Sequence, residues 1–193
     1  APTPLLTMPI PTASPDDPAV TPAWGQIAWN DLLAKHVLTL AGDWLAEDLG
    51  HECDWTSIAL VPADAWSELN VVVRRNGVIA GLPAAAVVAS CVDPRLVFAP
   101  LKQDGLALAA GETVAVIAGP TRSVLAAERV VLNLLGRLSG IATATRRLVD
   151  AVAETSCRVY DTRKTVPGWR LLDKYATRMG GGWNHRLGLY DAI

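Results

Sequence analysis

Residues 158–168 read Arg158-Val159-Tyr160-Asp161-Thr162-Arg163-Lys164-Thr165-Val166-Pro167-Gly168. Residues 180–186 read Gly180-Gly181-Gly182-Trp183-Asn184-His185-Arg186. Arg158 to Asp161 has strand character, and Thr162 to Gly168 is a loop. Trp169 to Met179 has helical spacing, Gly180 to Asn184 is a glycine loop, and Leu187 to Ile193 begins another strand. Strand and helix alternating in this way specify a parallel α/β unit. In such units the ligand crevice lies at the carboxyl ends of the strands.

That rule places Arg163 and Lys164 at the carboxyl end of one strand, and His185 and Arg186 follow at the entry of the next, so that the four would lie at the mouths of successive strands. An arginine fork matches a carboxylate or phosphate bidentately, and lysine adds a point charge. Two bland readings stand beside this one. Asp161 can simply pair with Arg163 in a solvated loop, and His185 can be a satisfied structural histidine. The three glycines suit either a close backbone approach to a ligand or a turn that needs positive φ.

Upstream, the pattern changes at Gly119–Pro120. Ser123 is placed to cap a helix running to about Leu138. Val124, Ala127, Val131, Leu134, Leu135 and Leu138 form its apolar face, while Arg129, Asn133 and Arg137 form a polar stripe. Arg129 is an intrahelical partner for Glu128 or an arginine aimed at an anion. Ser139–Gly140 is expected to break the helix, with a second one from Ala142 to Ala153.

The front half reads as α+β. The spacing predicts a helix within Trp24–Leu49, with apolar positions Trp29, Leu32, Leu33, His36 and Leu40 and a separate piece after Gly42–Asp43. Asn70–Arg75 and Val78–Leu82 flank Asn76–Gly77, which is a hairpin signal. Pro83 opens a helix from Ala84 to Cys91. Arg95–Phe98 and Thr113–Ala118 read as strands of a small antiparallel sheet. The division expected is a flexible proline-rich arm at 1–22, an α+β sandwich at 23–121 and part of an incomplete α/β barrel at 122–193. Only 72 of the 193 residues follow Thr121, too few for a complete barrel.

Composition narrows the classes. With 51% hydrophobic and 19% charged residues, the chain can build a core. A formal net charge of −2 argues against a basic nucleic-acid binder. Residues 1–121 carry 5 Lys/Arg against 13 Asp/Glu, and residues 122–193 carry 12 against 6. The basic half suits a small anion, or is merely a solvated face. No stretch is apolar over the roughly 18 residues that a membrane helix needs. No secretory signal is read at the N-terminus. Cys53, Cys91 and Cys157 lie far apart, so they read as free thiols and not as a zinc set. The acidic pair Asp16–Asp17 sits in the proline-rich arm, and no metal-ligating cluster is found. Neither nucleotide-binding glycine fingerprint occurs, and neither hydrolase signature does.

Several motifs together closely resemble the quinolinate phosphoribosyltransferase family. They are Ala127-Glu128-Arg129, Leu132-Asn133, Arg137-Leu138-Ser139-Gly140-Ile141-Ala142-Thr143, Asp161-Thr162-Arg163-Lys164-Thr165, Lys174-Tyr175-Ala176 and Gly180-Gly181-Gly182 with Asn184-His185-Arg186-Leu187-Gly188. The similarity runs from about Leu45 onward.

The resemblance implies an α+β sandwich followed by an incomplete barrel. It implies transfer of a phosphoribosyl group from phosphoribosyl pyrophosphate to quinolinate, with loss of CO₂ and pyrophosphate, in de novo NAD synthesis. Mg²⁺, a cytoplasmic setting and a homodimer with sites shared between subunits come with it. Carried over, Arg129 enters the partner's site, and Arg163 and Arg186 clamp the dicarboxylate. Thr162, Lys164 and His185 join the substrate contacts, and Lys164 and His185 also serve as catalytic groups.

The family continues past Ile193 with a Leu-Ile-Lys-Asp-Asn-His segment, so a C-terminally truncated enzyme is the expectation. Trp183 and Cys53 stand where the family usually has small residues. Two alternatives remain, a non-catalytic anion-binding or dimerisation fragment and the paralogue associated with molybdenum transport.

Overall fold

The computed structural model describes residues 25–50 and 52–191. The arm expected at 1–22, including Asp16–Asp17, and the last two residues of the expected final strand lie outside them.

Helix α1 spans Asp31–Leu49. Asn30 caps it, its side-chain oxygen accepting from the Leu33 amide at 3.0 Å. The buried positions are Leu33, Val37 and Ala41, an i, i+4, i+8 stripe. This corrects the expected face, because Leu32 is 71% exposed. Nor does Gly42–Asp43 divide the helix. Helix α2 (Trp55–Leu60) is capped by Asp54, which accepts from Ser57.

Strands β1 (Trp66–Val72), β3 (Val97–Pro100) and β5 (Thr113–Pro120) form one antiparallel sheet, ordered β1-β5-β3. Strands β2 (Gly77–Val78) and β4 (Ala107–Leu108) form a second antiparallel pair. The hairpin expected at Asn76–Gly77 is therefore absent, since β1 pairs with β5 and β2 with β4. The Asn76 side chain instead accepts from the Ala110 amide at 2.9 Å. A cross-chain ladder satisfies more backbone than a local turn would, and tertiary context overrides the dipeptide signal.

Helix α3 (Leu82–Val92) carries Pro83 at its start. The Asp104 carboxylate caps it from outside, accepting from the Gly81 and Leu82 amides at 2.7 and 3.1 Å.

Helix α4 is a single element from Thr121 to Ala151, 31 residues long. Two expectations fail here. Ser123 does not cap the helix, because its hydroxyl donates to Asp93 at 2.6 Å. Ser139–Gly140 does not break it either. Ser139 and Thr143 accept from the Ala80 and Val78 amides, and Leu134, Leu135, Leu138, Ala142 and Thr145 are buried on either side of the glycine. A glycine in a helix costs only about 1 kcal/mol, which that burial exceeds.

Helix α5 (Arg170–Met179) packs on α4. Arg137 donates to the Asp173 carboxylate from Nε and Nη2 and lies 5.0 Å from the Trp169 ring. Trp44 of α1 stacks on Trp169 at 4.7 Å, and Trp29 meets Tyr175 edge-on at 6.0 Å. The front and back halves thus share one core. Among the described residues the strand expected at 158–161 reduces to one parallel bridge, Tyr160 to Trp183, whose second member lies in the expected glycine loop, and residues 187–191 form no strand. That bridge joins the segments on either side of α5. The fold class is mixed α/β.

Candidate active site

Asp161, Thr162, Arg163, Lys164, His185 and Arg186 line one cavity of about 440 Å³. They come from the two segments that flank α5.

A buried polar knot beneath the cavity makes this geometry. Lys174, fully buried on α5, donates to Asp161 Oδ1 at 2.6 Å and to the His185 carbonyl at 2.7 Å. Asn184, also fully buried, donates to Asp161 Oδ2 at 2.7 Å. The His185 amide donates to Asp161 Oδ1 at 2.7 Å. Asp161 therefore pairs with Lys174 and not with Arg163, which corrects the bland reading of the loop. Its charge is compensated from below, so the four basic side chains above are not neutralised by it.

The Arg186 amide donates to His185 Nδ1 at 2.9 Å. This makes Nδ1 the acceptor and leaves Nε2 as the ring nitrogen that can carry a proton. The Lys164 amide donates to Thr162 Oγ1 at 3.1 Å, which folds the basic loop over. Arg163 Nε is buried without a hydrogen-bond partner among the described residues, and a buried donor left unmade is costly.

The glycine loop does not cradle a ligand. A Cβ on Gly180 would lie 2.4 Å from the Ala142 carbonyl oxygen, and one on Gly182 would lie 2.7 Å from Thr145 Cγ2. Gly181 has φ +88. The run lets the loop lie against α4 and turn there. Trp183, the departure at its end, sits between Arg158 at 4.5 Å and Arg178 at 5.0 Å. Burial lowers the Arg178 pKa from its ordinary value.

Arg129 stands apart. It is exposed on α4 and has no ion-pair partner among the described residues, Glu128 included. It lines a different cavity of about 890 Å³, with Arg74, Arg75, Asn76 and Arg147. The structure does not bring it to the strand mouths of its own chain.

Sequence reasoning missed Gln26, Asn184 and the burial of Lys174. Lysine and asparagine are ordinarily surface residues, and only the fold brings them together. No group of three or more His, Cys, Asp or Glu among the described residues could hold a metal ion. Cys53, Cys91 and Cys157 are free thiols, and burial raises the Cys91 pKa. Among the described residues no helix is long and apolar enough to cross a membrane.

An antiparallel α+β front, a back half in which one parallel bridge flanks a helix, and a cavity lined by four basic side chains define a mixed α/β protein. Comparison with known proteins narrows the class. The family model "Quinolinate phosphoribosyl transferase, N-terminal domain" matches residues 54–139, and its C-terminal counterpart matches residues 141–193. The chain belongs to the quinolinate phosphoribosyltransferase family.

It is 49% identical over 150 residues to a probable nicotinate-nucleotide pyrophosphorylase (carboxylating) of Synechocystis, covering 78% of this chain and 50% of that protein. It is 42% identical over 164 residues to the Bacillus subtilis counterpart, covering 85% of this chain and 55% of that one. The nicotinate-nucleotide pyrophosphorylase structure from Francisella tularensis superposes with a TM-score of 0.82 at 35% identity. That superposition covers 88% of this chain and 60% of the other. The chain spans about half the length of the curated relatives it matches.

Proposed function

We propose that the 440 Å³ cavity binds quinolinate, and that this chain serves phosphoribosyl transfer to it from phosphoribosyl pyrophosphate, with loss of CO₂ and pyrophosphate. The product would be nicotinate mononucleotide, in NAD synthesis. One observation carries the reading. Arg163, Lys164, His185 and Arg186 surround a cavity whose one carboxylate among the described residues, Asp161, is already held by Lys174. A dicarboxylate is matched by two arginine forks, and a partly dry site strengthens both pairings. We assign Arg163 and Arg186 to the two carboxylates, and Thr162 and Lys164 to the phosphoribosyl side. Lys164 and a protonated His185 Nε2 would stabilise negative charge developing on the ring as CO₂ leaves.

We also propose a homodimer in which Arg129 reaches the partner's cavity. Its exposure and its lack of an ion-pair partner among the described residues support that reading. The implied Mg²⁺ finds no protein cage among the described residues, because both oxygens of Asp161 are occupied. We propose that the ion comes in on the pyrophosphate of the co-substrate, as Mg²⁺ commonly binds phosphates while keeping several waters. A cytoplasmic setting is part of the same reading, although the plant relatives from rice and Arabidopsis are named chloroplastic.

Calorimetry with quinolinate, with and without Mg²⁺ and phosphoribosyl pyrophosphate, followed by assay for nicotinate mononucleotide, tests this. Binding with product establishes the activity. Binding without product keeps the clamp and leaves a non-catalytic anion-binding role. No binding by the folded chain refutes the assignment.

A further inference from the structure

We propose that Gln26, in the segment leading into α1, is a positioning residue of the anion cavity and acts through Asn184 on the main chain of His185 and Arg186. Its consequence for binding rests on the dicarboxylate reading above. Its consequence for the loop does not.

Asn184 is fully buried, and each of its hydrogen-bonding groups is engaged. Its amide donates to Gln26 Oε1 at 2.8 Å, and its carbonyl accepts from Gln26 Nε2 at 3.2 Å. Its side-chain oxygen accepts from the Ile27 amide at 2.7 Å. Its side-chain nitrogen donates to Asp161 Oδ2 at 2.7 Å and to the Lys174 carbonyl at 2.9 Å.

The geometry has a simple origin. The Trp183 amide and carbonyl face Val159 and Asp161 across the parallel bridge. Successive residues of a parallel strand bond to opposite neighbours. The main-chain groups of Asn184 therefore point away from that bridge, where no strand stands among the described residues. The planar amide of Gln26 takes a strand's place there, offering one donor and one acceptor as a peptide unit does.

What Gln26 holds is the residue before His185. The His185 amide must reach Asp161, and the Arg186 amide must reach His185 Nδ1. Both bonds set where the ring and the guanidinium enter the cavity. Gln26 itself does not line that cavity, and it belongs to no part of the core.

The test uses the full chain and compares Gln26→Leu and Gln26→Glu with the parent. Leucine removes both bonds. Glutamate keeps the acceptor for the Asn184 amide and loses the donor for its carbonyl. Native-state hydrogen exchange is read at Asn184 and His185, with the amides of Leu134 and Leu135 in α4 as controls. The His185 ring resonances and the quinolinate dissociation constant are read beside it.

In Gln26→Leu, exchange at Asn184 and His185 is expected to rise by about tenfold or more. The His185 ring resonances should move, the α4 amides should stay protected, and quinolinate should bind about tenfold more weakly. Gln26→Glu should fall between. Unchanged exchange and ring resonances in Gln26→Leu overturn the proposal. So does uniform loss of protection through α4, which means general destabilisation. If the parent fails to bind quinolinate while the local exchange still rises, the positioning role stands and the dicarboxylate reading alone falls.

Discussion

Replacing Lys174 by methionine removes an ammonium that no water replaces. Its nitrogen sits 2.6 Å from Asp161 Oδ1 and 2.7 Å from the His185 carbonyl, and the residue is 0% exposed. The Asp161 side chain is itself only 8% exposed. Methionine fills much the same volume, so packing loss is small and the effect is electrostatic. Asp161 keeps two neutral donors, the Asn184 side chain and the His185 amide, but loses its counter-charge.

Breaking a buried pair from one side costs about 3–5 kcal/mol. That is roughly two to four powers of ten in the folding equilibrium. In a chain of this size it corresponds to a fall of roughly 6–20 °C in Tm. Urea unfolding of Lys174→Met, Asp161→Asn and the double variant checks it. The double variant should lose markedly less than the sum of the two singles, because it leaves no charge stranded. A loss under about 1 kcal/mol in Lys174→Met, or full additivity, would refute the argument that a buried charge pair supports the floor of the cavity.

Gly180→Ala should destabilise by about 1–3 kcal/mol in urea unfolding, since its Cβ would press on the Ala142 carbonyl. Gly140→Ala, with nothing within 4 Å of its Cβ, should stabilise by up to about 1 kcal/mol. Arg163→Ala should abolish quinolinate binding by calorimetry while leaving stability within about 0.5 kcal/mol. If the site is shared between subunits, mixing Arg129→Ala and Arg163→Ala proteins should restore part of the binding that each lacks alone.

Asp93 supplies a pH test. The Arg95 guanidinium and the Ser123 hydroxyl hold its carboxyl well below the ordinary carboxylate range. A depressed folded-state value means that its contribution is complete above the unfolded value, near 3.8. The contribution is lost as pH falls through the folded one. Urea midpoints between pH 5 and pH 2 should fall less steeply in Asp93→Asn than in the parent, and identical slopes would contradict the assignment.

What the sequence disclosed follows from how local each signal is. The apolar face of α4 was legible because Val124, Ala127, Val131, Leu134, Leu135 and Leu138 repeat at helical spacing, and all are buried. The gathering of the two polar loops was legible because both flank one helix, and the six residues from Asp161 to Arg186 do share a cavity, although the strands expected beside them reduce to one bridge. The Asn76–Gly77 step misled because a dipeptide cannot report that Ala107–Leu108 and β5 compete for the flanking strands. The break expected at Ser139–Gly140 misled because a serine beside a glycine looks like a helix breaker in sequence. In the fold the Ser139 hydroxyl serves the Ala80 amide, as Thr143 one turn on serves the Val78 amide of β2. The knot of Gln26, Asp161, Lys174 and Asn184 was not legible at all. Its members span 158 positions from Gln26 to Asn184, and no periodicity joins them.

Helix α4 has a mechanical meaning. Its 31 residues extend roughly 46 Å, and the two family models meet inside it, between 139 and 141. It packs on α3, and its second half supports the glycine loop through Ala142 and Thr145. The seam between the two halves is therefore a beam and not a hinge. A push on the antiparallel sheet is delivered as tilt at Gly180–Gly182, one residue from Trp183 and three from His185. Polypeptides cut at that seam would each carry half a beam, with an apolar stripe on it and nothing to rest against.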